Sequence, residues 1–597
     1  MKRRTSVRFR FRRDDLILHV SSVSLGLFAF YSVVFVANLL RIPFYLGYEK
    51  YAMNIIVLSA EADRVLWLGS AVLFLATSFF RGLRGGFDVF NLVFDRYLLV
   101  LSLFYLMLLL MAVEIASLAC WLHNLFSPSP LFVGGGWHFA FVEAQLTSIL
   151  YPVLPVLLMF FAYSWVGEFV FKGLMAGNEE GRAVIDDSSL WFGSRWVSAV
   201  ISAFSVFSAF FLCYYNYAVA GVCNPGFPGV DVPHYAKWLN GMLNSTSVEA
   251  LIYASKNDRF LYLVLQYICY WLVGLPSDVF VAYFMPVVLL FLLMLSSFFF
   301  VRTCRDLFHA STAMLVSVFS FQVTVGFYAG FFANWFALFF VYMFYGLLLR
   351  VLERRGRESL LLLLSGVSSV AVLYTHPWTW ILLVMVILSA YAVTTLLIAY
   401  FRRRSIRGYG WELKVVSTLL IFNLVMFYVK GLLGVGGGAR LGGYVNVRLF
   451  KPSVWNVFLL KYFLDKTFNW YVGGFYAYAP AIILAILGVF SIFDYADRGN
   501  RLLLDWMLIA SAMAFVNFPW QARFLYLMPF NIYVAYGILY GAGWLSRFLR
   551  LKGHGCLAVA AFWIFYVLSI LLLMNYAFRC VSIKQYGSAG ITGIKEY

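Results

Sequence analysis

Residues 282 to 301 read AYFMPVVLLFLLMLSSFFFV, a stretch of twenty positions without a charged side chain. A helix of this length is about 30 Å long, which matches the hydrocarbon thickness of a lipid bilayer. The stretch is followed by Arg302 and Arg305, and such basic residues commonly mark the cytoplasmic end of a membrane span. This segment therefore predicts a transmembrane helix.

Apolar runs of similar length recur along the whole chain of 597 residues, and we count about fifteen of them. The composition agrees with this pattern, because 63% of the residues are hydrophobic and only 12% are charged. Soluble domains carry about 25% charged residues. The sequence therefore predicts an all-α protein, a polytopic transmembrane helical bundle whose exterior loops carry interfacial helices.

The formal net charge of +18 fits either nucleic-acid binding or the enrichment of lysine and arginine in cytoplasmic loops. Location decides between these two explanations, because the basic residues concentrate in alternate loops, beginning with Lys2 to Arg13. We therefore predict membrane lipids and no nucleic acid as partners. The same bias predicts a multi-pass protein of the cell (plasma) membrane, with a cytoplasmic N-terminus and an exterior C-terminus.

A polar stretch that ends at Arg195 is the predicted boundary between two regions. Residues 1–195 form a four-helix transmembrane region to which we assign no role, and residues 196–597 form a transmembrane module. Two long exterior loops are expected in this module, at residues 220–281 and 430–468. The second loop is rich in glycine, which predicts an irregular backbone able to close over a bound molecule.

The first of these loops contains a conspicuous apolar segment, Phe260–Val273. Fourteen residues are too few to cross a bilayer but suit a helix that lies in the membrane interface. Counting this segment as a span would also place every later basic loop on the wrong side of the membrane. We therefore predict an interfacial helix here.

Asp231 is the first candidate for chemistry, because it follows a turn rich in proline and glycine and precedes a helix-like run from His234 to Leu243. Its carboxylate could cap that helix, or it could act as a general base on an acceptor hydroxyl. The two roles are compatible, since capping would hold the carboxylate in place. His234 lies one turn later on the same helix face, where it is either a substrate-binding residue or an ordinary interfacial histidine.

Two further candidates lie far along the chain. His376 sits in a short predicted exterior turn, which is either part of a site or an aromatic belt with a proline as helix punctuation. Arg523 begins a predicted helix that should continue through Pro529. Its guanidinium group could extend to lipid head groups or bind the phosphate of a lipid substrate. We predict that Asp231, His234, His376 and Arg523 converge at one exterior pocket.

Several common catalytic signatures are missing from the sequence. It contains no Walker loop, no paired-cysteine zinc pattern, no HExxH motif and no GxSxG motif. We therefore predict no cofactor and no metal ligand. An enzyme of this kind would need an activated substrate that is delivered within the bilayer.

From about residue 197 to residue 597, the order of features resembles the C-type (GT-C) superfamily of membrane glycosyltransferases, which use polyprenyl-phosphate or polyprenyl-diphosphate sugars. Four segments carry the resemblance: Gly229-Val-Asp231-Val-Pro-His-Tyr235, Asp258-Arg259-Phe-Leu-Tyr-Leu, Gly326-Phe-Tyr-Ala-Gly-Phe-Phe-Ala-Asn334 and Arg523-Phe-Leu-Tyr-Leu-Met-Pro529-Phe. These enzymes place a catalytic acid in the first exterior loop, which implies that Asp231 has this role. Oligosaccharyltransferases of the superfamily carry an acidic pair in the segment that resembles residues 326–334 and a later Trp-Trp-Asp motif, and this chain has neither. The chain is therefore more similar to the metal-independent members that transfer a single sugar.

The resemblance implies an inverting glycosyltransferase that takes a hexosyl or pentosyl group from a lipid-linked sugar donor. The acceptor is an unknown glycan, lipid or protein. Asp231 would deprotonate the acceptor, and Arg523, with His234 and His376, would contact the substrates. Two alternatives remain at this point, a non-enzymatic lipid or solute transporter and a structural membrane subunit.

Overall fold

The structure is a computed structural model that describes most of the chain after Arg195. The described ranges are 195–223, 231–354, 359–401, 409–436, 479–492, 497–511, 526–551 and 554–587, with Arg523, Val72 and a few residues between 103 and 112. Apart from those few residues, the predicted N-terminal four-helix region lies outside the described residues, as does most of the predicted loop 430–468.

The described residues form helices and no strand, which confirms the prediction of an all-α helical bundle. The helices before residue 330 are α1 (Arg195–Cys223), α2 (Val232–Leu243), α3 (Ser247–Ser255), α4 (Phe260–Val273), α5 (Ser277–Cys304), α6 (Leu307–Val318) and α7 (Phe321–Ala329). The later helices are α8 (Phe332–Glu353), α9 (Ser359–Thr375), α10 (Pro377–Tyr400), α11 (Gly410–Leu432), α12 (Ala479–Ser491), α13 (Arg498–Ser511), α14 (Phe530–Leu551) and α15 (Gly555–Gly587).

Within the described part of the chain, 7 helical segments are long and apolar enough to cross a membrane. They are Arg195–Tyr215, Ser277–Cys304, Leu307–Phe327, Phe332–Glu353, Pro377–Tyr400, Gly410–Leu432 and Gly555–Phe578. Several of them leave large apolar side chains exposed, including Phe207 and Val425. Lipid is the solvent that suits such surfaces, so the chain is a multi-pass membrane protein.

The predicted loop 220–281 is largely helical. Helix α4 has the bounds that its apolar pattern predicted, and it exposes Trp271 and Leu272 while burying Tyr262 and Leu263. Helix α3 was not predicted, although the pair Thr246 and Glu249 forms a capping box that is readable in the sequence. The loop thus contains three short helices that pack against one another.

The chain divides into two compact units. One comprises Leu154–Gly474, Ile492–Ala535 and Met574–Tyr597, and it contains every residue of the site described below. Its central helix, α8, packs against α5 on one side and α9 on the other. Gly346 of α8 allows a close approach to α5, because a Cβ atom there would lie 2.6 Å from a ring carbon of Phe299.

The other unit comprises Met1–Val153, Phe475–Ser491 and Tyr536–Leu573. Gly537 of α14 packs directly on α12, since an added Cβ would overlap the carbonyl oxygen of Leu484. Phe104 stacks on Phe565 with ring centroids 5.6 Å apart, and it also contacts Trp544 at 4.6 Å. Small residues and aromatic rings thus hold this unit together.

Candidate active site

Asp231 is the residue that precedes the first turn of α2. Its backbone carbonyl oxygen accepts hydrogen bonds from the amides of His234 and Tyr235, at 3.1 and 3.2 Å. Its side chain makes no capping hydrogen bond. The expectation that capping fixes the carboxylate was therefore wrong, because the backbone of Asp231 is already helical and turns its carboxylate away from the amides.

Arg259 holds the carboxylate instead. Its Nη1 lies 3.6 Å from Oδ2 of Asp231, and the two side chains remain 22% and 25% exposed, respectively. The distance is longer than that of a charge-assisted hydrogen bond, so the pair is a loose one. Burial raises the pKa of Asp231, although the positive charge of Arg259 and the nearby His234 oppose this effect.

Tyr235 positions Arg259 through a hydrogen bond. Nη1 of Arg259 donates a 2.8 Å hydrogen bond to the Tyr235 hydroxyl oxygen, which also accepts a 3.3 Å hydrogen bond from the amide of Ala333 in α8. Burial raises the pKa of Tyr235 to about 12, so the phenol stays neutral and accepts both bonds. Its ring stacks on Phe332, with centroids 5.7 Å apart. The segment from α2 to α4 is thereby tied to the first turn of α8.

The turn between α7 and α8 lies directly against Asp231. Gly330 has a φ of +71°, and a Cβ added there would lie 3.2 Å from the Asp231 amide nitrogen and 3.1 Å from that of Val232. Both the backbone conformation and the close approach favour glycine. The segment 326–334, which includes this turn, therefore borders the candidate base.

His376 lies at the turn between α9 and α10, where its side chain caps α10. Nδ1 accepts a 3.3 Å hydrogen bond from the amide of Thr379 and lies 2.9 Å from its hydroxyl oxygen. That hydroxyl also donates to Oδ1 of Asn334 in α8, at 3.3 Å. Since Nδ1 accepts the amide proton, the neutral ring carries its own proton on Nε2.

Three cationic side chains lie close enough to His376 to affect its pKa. Burial lowers the pKa of His376 well below its ordinary value, and the charges of Arg259, Arg523 and Lys430 lower it further. The imidazole is therefore neutral and presents an Nε2–H donor among cations. Asp231, through Arg259 and Tyr235, and His376, through Thr379, are both connected to the first turn of α8.

Arg523 packs against the same turn. Its guanidinium carbon lies 4.1 Å from the centroid of the Trp378 ring, a cation–π contact. The expectation of a continuous helix from Arg523 through Pro529 was wrong. Helix α14 begins only at Phe530, because Pro529 has no amide proton and its ring disfavours a helical conformation of the preceding residue.

His234 is the predicted site residue with the weakest structural connection. Its side chain is exposed, and its ring lies 6.2 Å from that of Trp238. It is close enough to Asp231 for its charge to favour the carboxylate form. The structure therefore places it at the rim of the site, beside Asp231.

Lys430 was missed by the sequence analysis, which treated it only as the start of a loop. It lies in the last turn of α11 and is 5% exposed. Its Nζ donates a 3.1 Å hydrogen bond to the carbonyl oxygen of Leu373 and lies 5.4 Å from the ring centroid of Tyr374. A single lysine at the end of a long apolar run is the signal that could have identified it.

The start of the predicted glycine-rich loop is anchored near these cations. The amide of Gly436 donates a 2.7 Å hydrogen bond to the carbonyl oxygen of Ser255, at the end of α3. Gly436 has a φ of +82°, and a Cβ there would lie 3.4 Å from the Cα of Asp258. The chain that follows α11 therefore leaves from beside Arg259.

The assembled site has one loosely paired carboxylate, three cations and a neutral imidazole. Such a set can remove a proton from a hydroxyl group and can bind an anion next to it. In the described part of the chain, no group of three His, Cys, Asp or Glu side chains is arranged to hold a metal ion.

No protein-family model matches the chain, and no curated protein matches it. Among solved structures, the chain is similar to the archaeal oligosaccharyltransferase AglB from Archaeoglobus fulgidus, in complex with an inhibitory peptide and a dolichol-phosphate. The sequence identity is 12% and the TM-score is 0.39. The similarity covers 64% of this chain and 56% of that one, so the chain spans little more than half of the neighbour's length.

Proposed function

We propose that this chain is a membrane glycosyltransferase that moves a sugar from a polyprenyl-phosphate-linked donor to an acceptor hydroxyl group. One observation carries the proposal. The carboxylate of Asp231 is only loosely paired and is partly open to solvent, and the positive charges of Arg259, Lys430 and Arg523 are all close enough to His376 to lower its pKa. A base beside an anion-binding cluster is what transfer from a lipid phosphate requires.

Asp231 acts as the general base in this proposal. Its carboxylate takes the proton from the acceptor hydroxyl, and the acceptor oxygen forms a bond to the anomeric carbon of the sugar. The bond between that carbon and the phosphate oxygen breaks, and its electron pair leaves with the lipid phosphate. A single displacement of this kind inverts the configuration at the anomeric carbon. A raised pKa suits Asp231 to this role, since it makes the carboxylate a stronger base.

The cations bind the donor and stabilise the leaving phosphate. Arg523 is held against Trp378, and Lys430 is held by the carbonyl oxygen of Leu373, so both charges are fixed in position. Fixed charges stabilise a developing negative charge without reorganising during the reaction. His376 adds a neutral Nε2–H donor for a phosphate or sugar oxygen. We propose that these residues neutralise the phosphate without a metal ion.

The membrane supplies the donor and sets the orientation of the site. A polyprenyl chain dissolves in the bilayer, and the apolar surfaces of the described helices are accessible from lipid. The charge bias of the loops supports an orientation in which the Asp231 end of α8 is on the exterior face of the plasma membrane and the N-terminus is inside. The acceptor would therefore approach from outside the cell.

Transfer can be tested in membranes that contain the full chain and a panel of radiolabelled polyprenyl-phosphate sugars. We expect one labelled sugar to enter an acceptor with the wild-type chain. Asp231→Asn should lower this transfer about 100- to 10,000-fold, which is the usual contribution of a general base. Asn keeps the size and the backbone position of Asp231 but cannot take a proton.

Asp278→Asn is the matched control, because it changes another carboxylate of the loop region at the start of α5. Oδ1 of Asp278 accepts a hydrogen bond from the amide of Val279, which is a local structural contact. This variant should keep its transfer activity. If the wild-type chain moves the intact lipid-linked donor across the membrane and releases no sugar from it, the transporter explanation replaces ours.

A further inference from the structure

A second polar feature lies at the other end of α8. A cavity of about 300 Å³ opens there, between the last turns of α5 and α8. Its lining residues are Arg302, Thr303, Arg350, Glu353 and Arg354. The cavity is thus formed where two helices end together.

The charge in this cavity is unbalanced. Three guanidinium groups face a single carboxylate, that of Glu353. Arg302 is held in place by a 3.1 Å hydrogen bond from its Nη1 to the carbonyl oxygen of Arg305. The guanidinium carbon of Arg350 lies 4.6 Å from the ring centroid of Phe299. These contacts orient Arg302 and Arg350 at the cavity, where either guanidinium group can bind an anion.

The close packing of α5 and α8 brings these arginines together. Gly346 allows the contact, because any side chain there would collide with Phe299. Phe299 in turn supports Arg350 one turn further along α8. The close packing of the two helices thus brings the half-buried Arg350 next to the exposed Arg302, Glu353 and Arg354.

The depth of the pocket in the membrane follows from the length of α8. Ala333, which contacts the Asp231 site, and Glu353 are twenty residues apart in one helix, or about 30 Å. That distance equals the hydrocarbon thickness of a bilayer. The arginine pocket therefore lies at the membrane surface opposite the Asp231 site, at the level of the lipid head groups.

We propose that this arginine pocket binds the phosphate group of an anionic membrane lipid. The planar guanidinium group suits the oxygens of a phosphate, with which it forms paired, charge-assisted hydrogen bonds. Basic pockets between transmembrane helices are a known way to hold lipid head groups. A cytoplasmic charge bias alone would place arginines at this surface, but it would not require them to converge on a cavity.

The proposal is tested by the binding of short-chain phosphatidylglycerol to the full chain in a neutral detergent. We expect saturable binding, with phosphatidylcholine much weaker because it has no net charge. Arg302→Gln and Arg350→Gln should each weaken binding of phosphatidylglycerol about ten- to hundred-fold, the effect of losing one charge-assisted contact. Arg302 is exposed, so Arg302→Gln should fold even if Arg350→Gln does not.

Arg550→Gln is the matched control, since Arg550 also lies in the last turn of a helix, α14, and is exposed. It should bind phosphatidylglycerol like the wild type. An equal loss in this control would show a general charge effect and overturn the proposal, as would unchanged binding in Arg302→Gln.

A third arm of the experiment uses inorganic phosphate as competitor. If millimolar phosphate displaces the lipid completely, the site belongs to a soluble phosphate and not to a lipid. None of these measurements depends on transfer activity.

Discussion

The Asp231–Arg259 pair can be compared with a second carboxylate–arginine cluster, formed by Glu412, Arg498 and Arg501. Glu412 is 5% exposed and uses both oxygens, since Oε1 accepts from Arg498 Nε at 2.5 Å and Oε2 accepts from Arg501 Nη2 at 2.6 Å. Arg501 also donates to the Tyr391 hydroxyl oxygen at 2.6 Å. Asp231 has one arginine partner, at 3.6 Å, so its carboxylate is held far more weakly than that of Glu412.

The two clusters differ in how firmly arginine side chains hold the carboxylate. A carboxylate with two short charge-assisted bonds is held in a single position. A partly exposed carboxylate with one loose partner keeps lone pairs that can accept a proton from a substrate. Glu412 is thus bonded as a structural carboxylate, whereas the loose pairing of Asp231 is compatible with its proposed role as a base.

The largest expected effect on stability comes from Glu412→Gln. This change leaves the guanidinium group of Arg501, which is only 2% exposed, without its ion-pair partner at 2.6 Å. Breaking a buried pair in this way costs about 3 to 5 kcal/mol of the free energy of unfolding. Thermal unfolding of the purified chain in detergent should therefore shift strongly downward. Asp231→Asn is the comparison, and its unfolding should stay close to that of the wild type. Equal shifts in the two variants would show that the two carboxylates contribute equally to stability.

Arg523 should have the next largest effect, and this time on transfer. Arg523→Leu removes the charge that stacks on Trp378, and losing one charge-assisted contact costs about 1.5 to 3 kcal/mol, or roughly ten- to hundred-fold in transfer. Arg523→Lys keeps the charge but loses the planar geometry, so its loss should be smaller. Steady-state transfer at varied donor concentration provides the measurement.

The same kinetic measurements show whether Arg523 acts in donor binding or in the transition state. A higher KM for the donor with unchanged turnover means that it binds the phosphate before and during reaction, whereas lower turnover at saturating donor means that it acts as charge develops. A folded Arg523→Leu chain with wild-type transfer would show that Arg523 only anchors the protein to head groups.

Much of the fold could be predicted from the sequence, because lipid imposes strong rules on helix length and composition. The bounds of α4 and α9 agree with their apolar runs. The break before Phe530 was missed, although Pro529 indicates it. Which face of the membrane each end occupies stays a prediction.

The candidate site could be predicted only in part. Asp231 and Arg523 stood out as charged residues beside helix ends, but their partners depend on tertiary contacts. Arg259 is placed by the hydroxyl group of Tyr235, and Tyr235 by the amide of Ala333, almost 100 residues later. Lys430 joins the site only because α11 packs beside α9. Such positions follow from packing between distant segments, which local patterns do not specify.

The smallest expected effect is a shift in the pH dependence of transfer. Measuring it tests whether Arg259 lowers the pKa of Asp231. A general base works only when deprotonated, so transfer should fall as pH drops through the pKa of Asp231, which burial raises above the ordinary aspartate value. Since Arg259 and His234 oppose that rise, Arg259→Gln should move the acidic limb to higher pH. Arg259→Lys keeps the charge and should leave the limb near that of the wild type.

Tyr235→Phe controls for the lost 2.8 Å hydrogen bond, because it removes the acceptor of Arg259 without changing charge. A uniform loss of transfer in Arg259→Gln, with the limb unmoved, would mean that Arg259 supports the fold of the loop and does not set the basicity of Asp231.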